Sequence, residues 1–392
     1  MDKTHISWAD STWPVTVGCD KVSAGCYNCY AMRDARRMES NPNQKVSSVY
    51  SGLVVKQGNG LLNWTGVVKT LPERLEWPAH WKDHRDVFVC SQSDLFHEDV
   101  PDEFIGRVFS AMWNYNWHTY YVLTKRPERL LKLLQERPPE GLQDFNSTNF
   151  PHVIFGISAE DQKAANERMP RLLQVPLAPT QRFVSAEPLR GPVDLSIWID
   201  QIGWVIAGGE SGTHARPMHP DWPRLLRDQC CDADIAYHFK QWGEFVPESI
   251  AKERQLVAFT DHDAKLYRAG ESKAGKGTPT VIQGDTTFYR VGRRKAGRVL
   301  DGKFWNARPG ANFGPATAPH PMGSIVTVVN TDSEYDNLTG TIEIIQPHDP
   351  DNPEFEGEEA TYYLSCDGRE IEQAFGYWQL QPADPTTQRE GQ

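Results

Sequence analysis

The chain lacks any long apolar run, and no segment approaches the roughly 20 consecutive apolar residues that a membrane-spanning helix needs. Its mean hydropathy is −0.58. The N-terminus also lacks the basic region and following apolar region of a secretory signal, because Asp2, His5 and Asp10 stand there instead. These absences predict a globular protein that works in the cytoplasm and has no contact with a membrane.

Cysteine is scarce, with seven residues in a chain of 392, which is too few for a disulfide scaffold. Three of them, Cys19, Cys26 and Cys29, nevertheless stand close together near the N-terminus. This clustering favours metal ligation over disulfide bonding. The others are expected to be ordinary thiols, namely Cys90, Cys230, Cys231 and Cys366.

Positive charge is also limited, with 41 Lys and Arg against 52 Asp and Glu. The deficit is uneven, because residues 320–392 contain 15 acidic and only 2 basic side chains. The rest of the chain is close to neutral. The net charge of −11 therefore argues against nucleic-acid binding by the C-terminal segment but does not exclude it for the preceding 319 residues.

Short apolar runs alternate with amphipathic segments from residue 86 onward, as expected of βα units with a parallel sheet. The predicted strands are 15–17, 87–91, 120–124, 153–158, 182–185, 204–207 and 236–239, and the predicted helices are 101–114, 127–135, 160–173 and 220–231. This pattern predicts an α/β fold, a full or partial TIM-like (β/α) barrel.

Three domains are predicted along the chain. Residues 1–249 form the barrel, with a metal-binding loop at 19–29, and residues 250–319 form a Gly-rich basic extension that closes on it. Residues 320–392 contain alternating strand-like runs and form a small acidic all-β domain of the SH3-like barrel type.

Polar side chains follow the predicted strands, at the points where the strands end. They are Ser93, Asp94, Lys125, Ser158, Glu160, Glu187, Glu210 and Lys240. In a (β/α) barrel the carboxyl ends of the strands build the active site. Helix N-caps favour the same residue types, so any single position has an equally good structural explanation. Their recurrence at six successive strands favours a shared functional site.

The cysteines have the spacing Cys-x6-Cys-x2-Cys. Three thiolates on a cubane iron–sulfur cluster leave one iron without a protein ligand, and a chelating cofactor can occupy that position. The alternative is a structural zinc site, for which Cys90 or His5 would be the fourth ligand. Chance clustering of unliganded thiols is a third interpretation.

The segment WPVTVGCDKVSAGCYNCYA at 13–31 resembles a phage-associated family of unknown function with a three-cysteine motif and, more distantly, radical S-adenosylmethionine (SAM) enzymes related to spore photoproduct lyase. The resemblance covers roughly residues 6–306. It continues through SDLFHEDVP at 93–101, LTKRP at 123–127, GISAE at 156–160, SAEPL at 185–189, GGESG at 208–212, FKQWG at 239–243 and AGRVLDG at 296–302.

The resemblance implies that Cys19, Cys26 and Cys29 hold a [4Fe-4S] cluster whose open iron chelates SAM. One-electron reduction by an external donor would cleave SAM to methionine and a 5′-deoxyadenosyl radical. The six-residue first gap departs from the commonest radical SAM spacing, Cys-x3-Cys-x2-Cys. Gln92-Ser93-Asp94 also replaces the usual Gly-Gly-Glu.

For SAM, we expect Ser93 or Asp94 at the ammonium and Ser158 or Glu160 at the ribose, since hydroxyl and carboxylate oxygens suit these groups. The remaining strand-end residues are expected to contact substrate or to transfer protons. They are Lys125, Glu187, Glu210 and Lys240.

The phage association suggests a modified DNA base as substrate and the host cytoplasm as location. The basic run at 290–298 would contact phosphate, or would form a solvated loop. The acidic C-terminal domain would dock a protein partner. Two other functions stay open: a zinc-stabilised, non-catalytic binding module for nucleic acid or protein, and a SAM or nucleotide enzyme that works without radicals.

Overall fold

The computed structural model describes residue 4 and residues 6–58, 60–253 and 286–309, together with the strand segments 267–268, 279–282, 325–328, 339–347, 360–366, 369–376 and 380–382. The chain divides into two compact units. The first comprises residues 1–296 and 306–313, and the second comprises residues 297–305 and 314–392. No described helix is long and apolar enough to cross a membrane.

The described residues of the first unit form fifteen strands and eight α-helices. The strands are β1 (Ser11–Trp13), β2 (Thr16–Val17), β3 (Val54–Lys56), β4 (Leu62–Trp64), β5 (Lys69–Thr70), β6 (Asp86–Val89), β7 (Thr119–Thr124), β8 (Val153–Ser158), β9 (Arg182–Ala186), β10 (Trp204–Gly208), β11 (Ala236–Gln241), β12 (Phe245–Pro247), β13 (Tyr267–Arg268), β14 (Pro279–Ile282) and β15 (Thr286–Arg290). The helices are α1 (Tyr30–Glu39), α2 (Gln44–Tyr50), α3 (Asp102–Asn114), α4 (Pro127–Glu136), α5 (Gln162–Leu172), α6 (Asp221–Asp232), α7 (Glu248–Glu253) and α8 (Arg293–Ala296).

Seven of these strands form one parallel sheet in the order β1-β6-β7-β8-β9-β10-β11. The sheet is curled and open between β1 and β11, so the fold is a partial TIM-like barrel. Helices α3, α4 and α5 connect the strands from β6 to β9, and α6 connects β10 to β11. Between β9 and β10 the chain has only the short 3-10 helix Ile199–Gln201. The predicted alternation of strand and helix is otherwise confirmed.

The first strand of the barrel was predicted wrongly at 15–17. The strand that joins the sheet is β1, whose Ser11 pairs with Val87. Thr16 and Val17 instead form β2, which pairs antiparallel with β5. Residues 11–13 and residues 16–17 are both short runs with β-strand propensity. Their sequences alone do not show which run pairs with β6, because pairing depends on the partner strand.

The concave side of the sheet is filled by large apolar side chains near the amino ends of the strands. Trp8, from the segment before β1, lies among Phe88, Tyr121, Phe183 and Trp204, with ring centroids 4.6 to 6.4 Å apart. Trp8 and Trp204 are each at most 1% exposed. This layer fills the bottom of the half-barrel and leaves the carboxyl ends of the strands for polar side chains.

Local sequence explains where the flanking helices begin. Helix α3 follows Pro101 and has Asp102 and Glu103 in its first turn, where the helix dipole favours negative charge. Helix α5 is capped by Asp161, whose carboxylate accepts a hydrogen bond from the Ala164 N–H at 3.0 Å. Each helix buries one apolar stripe against the sheet.

Seven strands are described in the second unit. β16 (Val299–Leu300) and β17 (Lys303–Phe304) form a hairpin. β18 (Ile325–Val328), β19 (Thr339–Pro347), β20 (Ala360–Cys366), β21 (Arg369–Gly376) and β22 (Leu380–Pro382) form an antiparallel sheet in the order β21-β20-β19-β18-β22. An all-β C-terminal segment is therefore present.

Candidate functional site

A cavity of about 200 Å³ opens at the carboxyl ends of the barrel strands. The loop that carries the three cysteines covers one side of it, and the ends of strands β6 to β11 supply most of the remaining lining. Ten of the eleven predicted site residues line this cavity, namely Cys19, Cys26, Cys29, Ser93, Asp94, Lys125, Ser158, Glu187, Glu210 and Lys240. The eleventh, Glu160, lies beside Lys125, with Oε1 3.2 Å from the lysine Nζ. The structure therefore brings all predicted site residues together.

The cysteine loop has two glycines at close contacts. Gly18 has φ +91°, and a Cβ there would lie 2.1 Å from the Val67 carbonyl oxygen. A Cβ on Gly25 would meet Glu160 Oε1 at 3.0 Å and Lys125 Nζ at 3.1 Å. Larger residues at either position would push the loop away from the strand ends.

The three thiols are free and have different electrostatic surroundings. Burial and the Asp94 carboxylate raise the pKa of Cys19 to about 12, against the opposing effect of Arg126. Burial also raises the pKa of Cys29. At Cys26 burial is outweighed by the Lys125 ammonium and by hydrogen bonds from Ser23, so the pKa of Cys26 is lowered.

Lys125 and Glu160 form a buried charged group beneath the cysteine loop. The Lys125 ammonium donates to Ser23 Oγ at 3.3 Å, and Ser23 Oγ lies 3.6 Å from Cys26 Sγ. Glu160 is 1% exposed and also pairs with Arg168 at 2.8 Å. Burial opposes ionisation of Glu160, but the two cations overcome it and lower the pKa of Glu160 to about 2. The carboxylate is thus charged and acts on the cavity through Lys125.

Asp94 is held entirely by protein groups. Its Oδ1 accepts from Thr124 Oγ1 at 2.7 Å and from the Phe96 N–H at 3.0 Å. Its Oδ2 accepts from the Lys125 N–H at 3.0 Å and from Arg126 Nη1 at 3.2 Å. A carboxylate has about four acceptor positions. All of those on Asp94 are engaged, so a SAM ammonium would have to displace a protein donor to bind there.

Glu210 ties the cysteine loop to the end of β10. Its oxygens accept from Arg216 Nη2 at 2.6 Å and Arg216 Nε at 2.7 Å, a bidentate arrangement. Asn28 Nδ2 donates to the same carboxylate at 3.2 Å, and Arg216 Nη2 also donates to the Ala24 carbonyl at 3.1 Å. Glu210 therefore positions the loop between Cys26 and Cys29.

The far side of the cavity has a second lysine–glutamate pair. Lys240 Nζ lies 3.0 Å from Glu187 Oε1, and Ser185 donates to Glu187 Oε2 at 3.3 Å. The side chains of Lys240 and Glu187 are 23% and 15% exposed. Unlike Glu160, this pair is open to the cavity and can meet a bound molecule.

The hydroxyls predicted to contact SAM differ in their surroundings. Ser93 Oγ donates to the Thr16 carbonyl at 2.7 Å, so its hydroxyl proton is already used in a hydrogen bond to the segment before Cys19. Ser158 lies 5% exposed at the end of β8 and also lines the cavity.

Thiolates are the protein ligands of iron–sulfur clusters. Three free thiols and two cations, Lys125 and Arg126, line one cavity. Within the described residues no group of three or more His, Cys, Asp or Glu is arranged to hold a single metal ion. A cubane separates its thiolate ligands more widely than one ion does, because each sulfur binds a different iron atom.

The structure describes one of the two proposed fourth zinc ligands. Cys90 lines the cavity, but its thiol lies 3.2 Å from Thr16 Oγ1 as a hydrogen-bond partner. His5 lies outside the described residues.

Sequence reasoning gave no role to three arginines and one amide that orient the predicted residues. They are Asn28, Arg126, Arg168 and Arg216. Arg126 directly follows Lys125 and could have been found at the same strand end. Arg290, the first residue of the basic run that was expected to contact phosphate or to form a solvated loop, donates to the Gly212 carbonyl at 3.0 Å and lies 3.7 Å from Glu244.

A family model described as "Protein of unknown function (DUF5131)" matches residues 3–309. This range includes the cysteine loop, all strands of the half-barrel and every predicted site residue. Searches of curated proteins and of solved structures each gave no match.

Proposed function

We propose that this chain, which belongs to the DUF5131 family of proteins of unknown function, is a radical SAM enzyme. One observation carries the proposal: three free thiols from one loop face a cavity at the carboxyl ends of a parallel half-barrel. Such strand ends are where barrels place catalytic groups. The cations beside the thiols would offset the negative charge of a thiolate-bound cluster.

Cys19, Cys26 and Cys29 would hold a [4Fe-4S] cluster, with SAM bound beside it. When bound, the cluster would supply the electron that cleaves SAM to methionine and a 5′-deoxyadenosyl radical. Among the predicted SAM contacts, Ser158 is the best placed to face the ribose. Glu160 would act indirectly, by holding the Lys125 ammonium in place beneath the cysteine loop.

Glu187 and Lys240 are the residues we propose for proton transfer to or from the substrate. They form the charged pair of the cavity that stays partly open, and a general acid or base must reach its substrate directly. Glu210 would serve the reaction by holding the cysteine loop in place.

For the substrate we propose a nucleic-acid base, modified within DNA. The cysteine loop exposes Tyr27 by 60% and Val22 by 46%, and Lys21 Nζ lies 5.5 Å from the centre of the Tyr27 ring. An exposed aromatic ring beside a cation is a surface on which a nucleobase stacks. The segment 19–82 contains nine Lys or Arg and five Asp or Glu, in contrast to the acidic chain as a whole.

We propose a cytoplasmic location, the host cytoplasm for a phage-encoded protein, and an external one-electron reductant. The five-stranded C-terminal sheet would be an SH3-like domain that binds a protein partner, since its net negative charge disfavours DNA. A zinc-stabilised binding module without catalysis is the alternative, and the presence of Cys90 in the cavity favours it.

The test is anaerobic reconstitution with iron and sulfide. We expect about four irons per chain and a visible absorbance that dithionite bleaches. Dithionite and SAM together should then yield 5′-deoxyadenosine and methionine. Cys19→Ala, Cys26→Ala and Cys29→Ala should each lose the cluster, while Cys231→Ala, an exposed thiol on α6, should keep it.

A colourless, zinc-binding protein would refute the cluster. A cluster that never cleaves SAM would refute the radical reaction. Substrate identity has its own measurement, the transfer of deuterium from labelled DNA bases into 5′-deoxyadenosine.

A further inference from the structure

Arg126 contacts one of the three cysteine thiols directly. Its Nη1 lies 3.8 Å from Cys19 Sγ, within hydrogen-bonding range of a sulfur acceptor, and 3.2 Å from Asp94 Oδ2. The Arg126 side chain is 14% exposed, so water screens this charge only partly.

Asp94 fixes where that guanidinium points. The carboxylate is itself fixed by Thr124 and by two backbone N–H groups, and Arg126 takes its last acceptor position. The result is a chain of contacts from Asp94 through Arg126 to the Cys19 sulfur. A carboxylate that orients a metal ligand through an intervening group is a recurrent way of tuning metal sites.

We propose that Arg126, oriented by Asp94, raises the reduction potential of a cluster bound at Cys19. This inference rests on the proposed function and adds a role that the cysteine motif does not give. Reduction adds one negative charge to a cluster that thiolates already make anionic. A cation that donates to a ligand sulfur stabilises the reduced form more than the oxidised form. The carboxylate of Asp94 has the opposite effect, because its negative charge disfavours reduction.

The opposite signs make the proposal testable. In Arg126→Gln the cation is lost while a polar side chain remains, so the reduction potential should fall. In Asp94→Asn the negative charge beside Arg126 is lost. The Arg126 cation then acts on the cluster without an opposing carboxylate, so the reduction potential should rise. Arg126→Lys keeps the positive charge but loses the planar guanidinium, so its reduction potential should lie between those of Arg126→Gln and the wild type.

A matched control lies one turn along helix α4. Arg129 bonds the carbonyls of His97 and Val100 at 2.9 and 2.8 Å, pairs with Asp102 and does not line the cysteine cavity. Arg129→Gln removes the same charge without touching a cysteine. Its effect on the potential should be clearly smaller than that of Arg126→Gln.

The measurement is a redox titration of the reconstituted full-length chain without SAM, followed by electron paramagnetic resonance of the reduced cluster. At the wild-type midpoint, we expect the ratio of reduced to oxidised cluster to fall about tenfold in Arg126→Gln, where a tenfold change corresponds to about 59 mV for one electron. A role confined to folding would lower cluster occupancy without moving the midpoint.

The possible outcomes are distinct. No cluster in the wild type refutes the proposed function itself. With a wild-type cluster present, the inference is wrong if Arg126→Gln leaves the midpoint unchanged, or if Arg129→Gln moves it equally. Should Arg126→Gln fail to hold a cluster, Arg126→Lys decides: a midpoint below that of the wild type supports the inference, and an unchanged or higher one overturns it.

Discussion

The buried carboxylate of Glu160 gives a prediction whose size follows from the structure. Glu160 is 1% exposed and lies 3.2 Å from Lys125 and 2.8 Å from Arg168. Its contact with Lys125 is an ion pair without hydrogen-bond alignment, since Oε1 has no hydrogen-bond partner. We expect Glu160→Gln to destabilise the protein at neutral pH, because two cations beneath the cysteine loop lose their counter-charge.

The magnitude comes from the difference in pKa between the folded and unfolded chains. The pKa of Glu160 is about 2 in the fold against an ordinary value of 4.5. One pKa unit is worth about 1.4 kcal/mol, so ionised Glu160 contributes about 3 kcal/mol to the free energy of unfolding. Since the folded pKa is the lower one, this stabilisation is complete above the unfolded pKa of 4.5 and is lost as the pH falls towards 2. About 1.4 kcal/mol of it should be gone at about pH 3.5.

The assay is urea unfolding of the metal-free chain, followed by tryptophan fluorescence, at several pH values from 7 down to about 3.5. The difference in unfolding free energy between wild type and Glu160→Gln should shrink as the pH falls below 4.5. Glu136→Gln is the control, because that carboxylate is 67% exposed and pairs with Lys132 only at 4.0 Å. A wild-type advantage that stays constant over this pH range would refute the view that Glu160 is a charged, ion-paired carboxylate.

Three further predictions concern the site and its support. Glu210→Ala should lower the unfolding free energy by about 3 kcal/mol in urea titrations and reduce iron retention, because it leaves Arg216 without its bidentate partner. Unchanged stability and iron content would contradict the role of Glu210 in holding the cysteine loop. Gly209→Ala should cost at least about 2 kcal/mol by the same titration, since its Cβ would lie 1.9 Å from the Trp242 carbonyl oxygen. Gly191→Ala, whose nearest atom is at 3.6 Å, should be nearly neutral, and equal effects would be evidence against the close contact. A chain ending at Pro319 should still bind about four irons on reconstitution; loss of soluble protein would show that the half-barrel needs the C-terminal strands.

Much of the half-barrel could be predicted from sequence. Strands β7, β8 and β9 begin within one residue of their predicted starts. Strands that are buried on both faces are continuous apolar runs in the sequence, and here each run is flanked by amphipathic helical segments. Parallel connection then brings their carboxyl ends to one edge. For this reason the cysteines and the strand-end residues could be placed in one cavity before any coordinates were known.

Tertiary structure alone decided which charges meet. Asp94 pairs with Arg126 from the next strand end, Glu210 holds Asn28 across 182 positions in the chain, and Glu160 joins Lys125 to Arg168. It also decided that β1, rather than residues 15–17, enters the sheet. The reason is physical: apolar periodicity is a local property that burial imposes on each strand separately. Ion pairing and strand pairing depend on distances between segments, and those distances exist only once the chain has folded.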